Sequence, residues 1–276
     1  MHCHSMHSLS YDLAELNSAL DGSVFARKLH YLPQIGSTNT LAMQAATAGV
    51  EEGTVIFADQ QTGGRGRNGR SWLSESRTAI LVSIVMRPKI APAQSLWLSL
   101  MAGVAAHDAI LHSCGMECDL RWPNDLLLTR KKVCGILTEI SADHEQLRFA
   151  VIGVGVNVNQ PSFPPDIAAL ATSLHIETGK TWSRTELLIA LLQCMEVEYR
   201  RALESEGNEA LLRRVESISS YARNKRVHVD EAGGYEGLTE GLDAAGFLRV
   251  RTAQGVRTVL SGGVREVGSS PRLRNS

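Results

Sequence analysis

The chain has 276 residues, which is enough to bury a sizeable hydrophobic core in one or two domains. With 43% hydrophobic and 21% charged residues, the composition excludes a largely disordered protein. A formal net charge of -1 excludes a globally basic surface for nucleic acid or anionic membranes, so positive charge must act locally.

The cysteine content and the absence of export signals indicate the compartment. Five cysteines without zinc-ligand or disulfide spacing are typical of a reducing cytoplasm. No run approaches the roughly eighteen apolar residues that a membrane span needs, and the N-terminus lacks a basic region followed by an apolar one. We therefore predict a cytoplasmic protein without membrane contacts. The His-rich segment 1–7 has no partner ligands and is assigned no role.

Two short helices are predicted near the N-terminus. Residues 11–20 carry Leu13, Leu16 and Leu20 at helical spacing, which predicts an amphipathic helix. A polar cluster at residues 36–40 opens a second helix that runs to about residue 48. Its serine or threonine is a natural N-cap, but a ligand role is an equally good interpretation and both can hold at once.

A glycine- and arginine-rich segment follows the second helix. Residues 54–57 and 78–86 are apolar runs that predict strands, so residues 58–72 between them are predicted to be a loop. Its four glycines allow close approach of the backbone to a ligand, and its three arginines suit carboxylate or phosphate oxygens. The loop is predicted to bind an anion. A mobile segment or a nonspecific RNA contact is the alternative.

The middle of the chain combines core elements with a second polar corner. Residues 94–114 predict a long buried helix. Pro123 interrupts an apolar run and places Asn124 and Asp125 at a strand corner, where ordinary turn chemistry is the alternative. Residues 131–139 follow at hairpin distance.

The C-terminal half is predicted to begin with a buried strand at residues 149–158. Its glycines permit close approach, and the asparagine at its end is either a ligand contact or the cap of a β-bulge. A capping box at residues 183–186 opens a helix to about residue 203. Short β-rich pieces at 226–229, 235–242, 247–251 and 256–260, separated by glycine turns, predict a small barrel.

Four motifs together resemble those of the biotin protein ligases. They are Gln-Thr-x-Gly-Arg-Gly-Arg-x-Gly-Arg-x-Trp at 61–72, Trp-Pro-Asn-Asp at 122–125, Lys-x-x-Gly-Ile-Leu-x-Glu at 132–139 and Gly-x-Gly-x-Asn at 153–157. The resemblance covers about residues 30–267. It implies an α+β fold with a central mixed sheet and flanking helices, similar to class II aminoacyl-tRNA synthetases, plus a small C-terminal SH3-like β-barrel.

The resemblance also implies a domain order and an activity. The expected segments are an extension with a short helix at 1–29, a ligase domain at 30–220, the SH3-like domain at 221–268 and a disordered tail at 269–276. The expected reaction forms biotinyl-5′-AMP from biotin and ATP with Mg²⁺, and then transfers biotin to a lysine of a biotin carboxyl carrier protein. About thirty-five residues precede the Ser37-Thr38-Asn39 cluster, which also matches the family, and these are too few for the helix-turn-helix domain of repressor members, so no DNA binding is expected. A homodimer is compatible with the resemblance.

Matching positions supply the expected site residues. Lys132 and Arg67 are the implied catalytic cations, and Asp125 is the implied magnesium ligand. The implied biotin contacts are Ser37, Thr38, Asn39, Gln61, Gly64, Arg65, Gly66, Arg67, Trp72, Lys132 and Gly135. The implied ATP and adenylate contacts are Arg67, Arg70, Trp72, Arg121, Asn124, Asp125, Lys132 and Asn157. The chain departs from the pattern at Arg121, where the family usually has lysine, and at 262–263, where Gly-Gly replaces Gly-Glu.

Two other functions are weighed against this one. A lipoate or octanoate ligase shares the fold and the adenylation step, but its acyl pocket needs only apolar walls. The polar side chains of Ser37, Thr38 and Gln61 suit the ureido ring of biotin better. A noncatalytic Gly/Arg nucleic-acid binder would show salt-sensitive binding, and the near-neutral net charge argues against it.

Overall fold

The computed structural model describes residues 10–204 and 207–268, so the predictions for the His-rich start and the C-terminal tail lie outside the described residues. The helices are α1 Leu13–Ala19, α2 Thr38–Thr47, α3 Leu96–Cys114, α4 Leu174–Thr178, α5 Arg184–Ala202 and α6 Gly207–Ser217. The strands are β1 Leu29–Ile35, β2 Val55–Gln61, β3 Ala79–Met86, β4 Asp119–Arg121, β5 Asp125–Leu128, β6 Lys131–Ala142, β7 Leu147–Asn157, β8 Arg223–Val229, β9 Tyr235–Leu242, β10 Leu248–Thr252, β11 Gly255–Val259 and β12 Val264–Glu266.

The larger sheet has seven strands in the order β1-β2-β3-β7-β6-β5-β4. Strands β1 and β2 are parallel, and every other neighbouring pair is antiparallel. This mixed sheet with helices on its faces confirms the α+β class and the central sheet predicted from the sequence.

Alternation along the central strands divides the apolar side chains between two layers. On β7, Val151 belongs to a small cluster with α2, whereas Ile152 and Val154 belong to the main core that contains α3 and α5. Trp97, Met101 and His107 of α3 are buried, in agreement with the long buried helix predicted at residues 94–114. Because α2 is only ten residues long, it covers part of its face and leaves the rest of the sheet accessible there.

The boundary between the second strand and the glycine-rich loop differs from the prediction. Residues 58–61 continue β2 instead of opening the loop, because they pair with β1 through Leu32–Ala58 and Ile35–Gln61. Strand β1 is not predicted from the sequence, since Pro33 interrupts a weakly patterned segment. As an edge strand it tolerates the missing N–H. Helices α4 and α6 and strand β12 are also additions to the predicted elements.

The C-terminal strands form a separate antiparallel sheet in the order β11-β10-β9-β8-β12. This sheet contacts the rest of the molecule at the corner between β4 and β5, where Trp122 Nε1 donates to the Gly246 carbonyl at 2.9 Å. A methyl group on Gly246 would lie 2.9 Å from Leu100 Cδ1 of α3, which shows how closely the two parts pack. Within the described residues, no helix has the length and apolarity required to cross a bilayer.

Candidate active site

A cleft lies on the α2 face of the larger sheet. It opens to solvent and is bounded by the start of α2, the glycine-rich loop and strands β6 and β7. The predicted site residues that line it are Ser37, Thr38, Asn39, Gln61, Arg65, Gly66, Arg67, Trp72, Asn124, Lys132 and Gly135. The other lining residues are Leu81, Val82, Ile136, Leu137, Gly153, Val154 and Gly155.

Glycines form the floor of this cleft. Gly135 of β6 pairs with Gly155 of β7, and Gly153 lies two residues earlier on the same face. A Cβ atom on Gly155 would approach Trp72 Cε2 to 2.6 Å, and one on Gly153 would approach Asn39 Oδ1 to 2.1 Å. The floor therefore admits no side chains, and the indole ring of Trp72 lies directly against it.

Hydrogen bonds fix the polar end of the cleft at the start of α2. Ser37 caps the helix and accepts from the Thr40 N–H at 3.4 Å, so its predicted capping role is confirmed. Gln61 Oε1 accepts from both the backbone N–H and the hydroxyl of Thr38, at 2.7 and 3.0 Å. Behind them Ser83, fully buried on β3, lies 2.8 Å from Thr38 Oγ1 and 2.5 Å from Asn39 Oδ1. Hydrogen bonds within the protein therefore hold these groups in position.

The glycine-rich loop folds back on itself beside the cleft. The Gly66 N–H donates to the Arg70 carbonyl at 2.7 Å, and the Trp72 N–H donates to the Gly64 carbonyl at 3.0 Å. A Cβ atom on Gly64 would lie 2.5 Å from the Trp72 carbonyl oxygen, so the close approach of the two loop strands requires glycine there. Arg70 is exposed and does not line the cleft.

The two loop arginines in the cleft have different partners. Arg65 Nη2 pairs with Glu139 at 2.5 Å, and its Nη1 donates to Thr40 Oγ1 at 3.3 Å. Arg67 Nη1 donates to Asn124 Oδ1 at 3.0 Å, and its Nη2 donates to the Ser261 carbonyl at 3.3 Å. Burial lowers the pKa of Arg67, although the Asp125 carboxylate opposes that shift. The guanidinium group remains charged at neutral pH.

A largely buried carboxylate next to the cleft joins two cations. Asp125 Oδ1 lies 2.6 Å from Lys132 Nζ, and its Oδ2 accepts from Arg121 Nη2 at 2.6 Å. Burial alone would raise the pKa of the Asp125 carboxyl, but the Lys132 and Arg121 cations outweigh it and hold that pKa far below its usual range. Lys132 Nζ also lies 5.5 Å from the centre of the Trp72 ring. Of this trio only Lys132 lines the cleft.

Asn157 lies outside the cleft lining. Its Nδ2 donates to the Thr172 carbonyl at 2.9 Å and lies 3.5 Å from the Lys132 carbonyl. The same segment pairs with the catalytic candidate, because the Lys132 N–H donates to the Leu170 carbonyl at 2.8 Å. Asn157 thus ties residues 170–172 to the backbone of Lys132. Its predicted place beside the adenylate stays a prediction, as do the ligand contacts predicted for every other site residue.

Several contributors to the site have weak or no sequence signals. Ser83 is the one hydroxyl side chain within β3 and could have been singled out on that ground. Glu139 belongs to a recognised motif, but its pairing with Arg65 joins residues 74 positions apart. Ser261 lies 194 positions from Arg67 and contributes a backbone carbonyl, which no residue pattern could have indicated.

The cleft combines three chemically different zones. One end presents fixed amide and hydroxyl groups, the glycine floor is covered by the flat indole ring of Trp72, and the other end is lined by the Lys132 and Arg67 cations. Such an arrangement suits a ligand with a polar head, an apolar body and an anionic end that must approach a second anion.

Comparisons with known proteins agree with this chemistry. Residues 31–157 match the model of the Biotin/lipoate A/B protein ligase family. The chain is 34% identical over 250 residues to the bifunctional ligase/repressor BirA of Bacillus spizizenii, covering 90% of this chain and 77% of that protein. It is 33% identical over 229 residues to the biotin–[acetyl-CoA-carboxylase] ligase of Mycobacterium tuberculosis, covering 80% of this chain and 82% of that protein.

A solved structure extends the likeness to the fold. The biotin protein ligase of Aquifex aeolicus in complex with biotin and ATP superposes with a TM-score of 0.75 at 30% identity, covering 87% of this chain and 99% of that chain. Fold and cleft thus define a member of the biotin/lipoate class of protein ligases. Within that class the chain belongs to the biotin protein ligase family, and its activity is the ATP-dependent attachment of biotin to protein.

Proposed function

We propose that biotin binds in this cleft beside the Trp72 ring that covers the glycine floor, with its ureido ring at the start of α2 and its carboxylate beside Lys132 and Arg67. The observation that supports this most directly is the meeting of Gln61, Thr38 and Lys132 in one cleft. Since Gln61 Oε1 is engaged by Thr38, its amide nitrogen remains to donate to a ligand carbonyl. Arg67, Asn124 and Trp72 would then adjoin the nucleotide.

In the first step a biotin carboxylate oxygen attacks the α-phosphorus of ATP. The bond from that phosphorus to the bridging oxygen breaks, and pyrophosphate leaves with biotinyl-5′-AMP formed. Two like charges about 4 Å apart repel by roughly 4 kcal/mol at an effective dielectric near 20. A cation placed between them removes most of this cost and could change the rate by about a thousandfold. Lys132 and Arg67 are the cations that the cleft offers.

In the second step a carrier lysine attacks the acyl carbon of the mixed anhydride. The amine loses a proton, the bond to AMP breaks, and an amide joins biotin to the carrier. The names of the acetyl-CoA-carboxylase ligases among its relatives support a biotin carboxyl carrier protein as the partner. No nucleophilic side chain of the ligase is needed, because both nucleophiles come from the substrates.

We propose a role other than magnesium binding for Asp125. Both of its oxygens contact cations at 2.6 Å, Lys132 and Arg121. Mg²⁺ usually binds through one or two carboxylates together with substrate phosphates. We propose that the ion is held mainly by the ATP phosphates, and that Asp125 serves to orient Lys132 and Arg121.

We further propose an SH3-like barrel for the C-terminal sheet and keep the domain limits 1–29, 30–220 and 221–268. The five short antiparallel strands and their glycine turns support this. Action in a reducing cytoplasm is supported by four free thiols at Cys114, Cys118, Cys134 and Cys194. We also propose that the protein acts without binding DNA and that it can form a homodimer.

Lipoate is the competing substrate within the same class. Its dithiolane ring cannot pair with the Gln61, Thr38 and Ser37 groups, which would lose water without replacement on binding it. A competition titration is expected to favour biotin over lipoate by at least about a hundredfold. Equal affinity for the two acids would contradict the assignment of the polar end to a ureido ring.

The activity test is pyrophosphate release that requires both biotin and ATP. Lys132→Ala is expected to lower this release by about a thousandfold while sparing transfer of biotin from preformed biotinyl-5′-AMP. The matched control is Lys131→Ala, which removes the neighbouring lysine outside the cleft and should leave release unchanged. Normal adenylation by Lys132→Ala would overturn the assignment of this lysine.

A further inference from the structure

The C-terminal sheet contributes a hydrogen bond to an arginine of the cleft. Ser261 lies between β11 and β12, and its carbonyl accepts from Arg67 Nη2 at 3.3 Å. Asn124 Oδ1 accepts from the other terminal nitrogen at 3.0 Å. The guanidinium group is therefore held from two sides by groups that are 137 residues apart in sequence, from Asn124 to Ser261.

A single carboxylate fixes the segment that carries this carbonyl. Glu231, in the turn between β8 and β9, accepts from the Leu260 N–H at 3.2 Å and from the Ser261 N–H at 3.1 Å. The Ser261 hydroxyl donates to the same oxygen at 3.3 Å. Hydrogen bonds to an ionised acceptor are stronger than neutral ones, so residues 260–261 are firmly attached to Glu231.

Close packing reinforces the attachment. A Cβ atom on Gly262 would lie 2.9 Å from Cβ of Glu231, and the Asp230 N–H donates to the Gly263 carbonyl at 2.9 Å. Gly262 thus lets residues 260–263 lie flat against the β8–β9 turn. The Ser261 carbonyl has its direction set by this contact.

The bond from Ser261 orients Arg67 without neutralising it. Arg65 and Lys132 both form ion pairs, with Glu139 and Asp125 respectively. In the described part of the chain, the hydrogen bonds of Arg67 go to an amide oxygen and a backbone carbonyl, both of which are neutral. Among the described residues no carboxylate hydrogen-bonds to Arg67, and the Asp125 carboxylate acts on its pKa without such a bond, so the guanidinium group is open to an anion in the cleft.

We propose that Glu231 is a positioning residue for adenylation. By holding residues 260–261, it keeps the Ser261 carbonyl against Arg67 and aims the guanidinium group at the reacting oxygens. This inference rests on the proposed role of Arg67 in the first step. It assigns to the C-terminal sheet a defined task in that step, through a carboxylate that lies outside the cleft.

A double-mutant cycle on the full chain tests the connection. Glu231→Ala should lower kcat for pyrophosphate release by about tenfold, leave KM for biotin within about twofold, and spare transfer from preformed biotinyl-5′-AMP. Glu231→Gln keeps one carbonyl acceptor and should lose only about threefold. In the Arg67→Ala background, Glu231→Ala should produce no further loss, because the group that it positions is absent.

The matched control is Glu236→Ala, which removes an exposed carboxylate from β9 of the same hairpin and should leave all three quantities unchanged. Equal losses in adenylation and transfer, or losses that multiply in the double variant, would overturn the inference, since general loosening of the sheet acts independently of Arg67. If Glu231→Ala does not fold, the same double-mutant cycle with Arg67→Ala is measured with Glu231→Gln. Unimpaired adenylation by Arg67→Ala would contradict the proposed role of Arg67. If Arg67→Ala is impaired in adenylation and Glu231→Ala is not, only the proposed role of Glu231 is contradicted.

Discussion

At the scale of single residues, ion pairs hold the charged side chains at the cleft in position. Asp125 brings Lys132 and Arg121 together within one ion-paired group. The usual lysine of the family is replaced by Arg121, and the structure shows that the arginine still reaches the carboxylate at 2.6 Å. Because a buried carboxylate is stable only when its partners are in place, this group also ties catalytic geometry to folding.

The acid sensitivity of the protein should reflect Asp125. Its pKa is lower in the folded state than in the unfolded chain, where it is about 3.9. The stabilisation is therefore complete above that pH and is lost as the pH falls toward the folded pKa. Relative to Asp125→Asn, the wild-type free energy of unfolding should fall by about 1 kcal/mol between about pH 6 and about pH 3. Urea unfolding at both pH values measures the difference, and parallel pH profiles would show that Asp125 has an ordinary pKa.

At the scale of elements, the adjacent strands β6 and β7 use one face for the core and the other face for the floor of the cleft. Val154 and Val156 of β7 pack into the main core, whereas Gly153 and Gly155 lie on the opposite face with Val151, toward α2. Gly135 supplies the same feature on β6, and Trp72 covers both strands. Glycine within a strand normally weakens it, so these positions are explained by the close approach of Asn39 and Trp72.

Adding a methyl group to the floor should displace the indole ring. In Gly155→Ala the new Cβ would lie 2.6 Å from Trp72 Cε2, so the ring must move off the strand. We expect a shift of tryptophan emission and about a tenfold loss of adenylation activity, because the loop no longer closes on the floor. Gly36→Ala is the control, since its added methyl meets no atom within 4 Å. Unchanged emission in Gly155→Ala would mean that Trp72 does not occupy the floor in solution.

At the scale of the whole molecule, a buried ion pair connects distant parts of the chain. Asp59 on β2 accepts from Arg184 at the start of α5 at 2.6 Å, and both side chains are almost fully buried. The same carboxylate accepts from Tyr31 of β1 at 2.8 Å and from Arg77, just beyond the glycine-rich loop, at 3.1 Å. This group joins the edge of the sheet, its helical layer and the exit of the loop.

Removing that carboxylate should destabilise the entire fold. Asp59→Ala leaves the buried Arg184 guanidinium without its carboxylate and should lower the free energy of unfolding by about 3 kcal/mol. Urea denaturation gives the value, and Asp21→Ala, which removes an exposed carboxylate, should stay within about 0.5 kcal/mol of wild type. A loss below about 1 kcal/mol in Asp59→Ala would mean that the pair contributes little.

The sequence by itself determined the α+β class, most central helices and strands, and a set of site residues of which eleven line the cleft. Periodicity, glycine placement and motif order are local properties, so they suffice to predict α2, the glycine-rich loop and the hairpin that carries Lys132. Tertiary structure alone decided that β1 pairs with residues 58–61, that Arg65 meets Glu139, and that the Ser261 carbonyl reaches Arg67. These contacts join segments up to 194 residues apart, and one of them uses a backbone atom that every residue type possesses. Such contacts depend on how the elements pack, and that packing leaves no signal in the local order of residues.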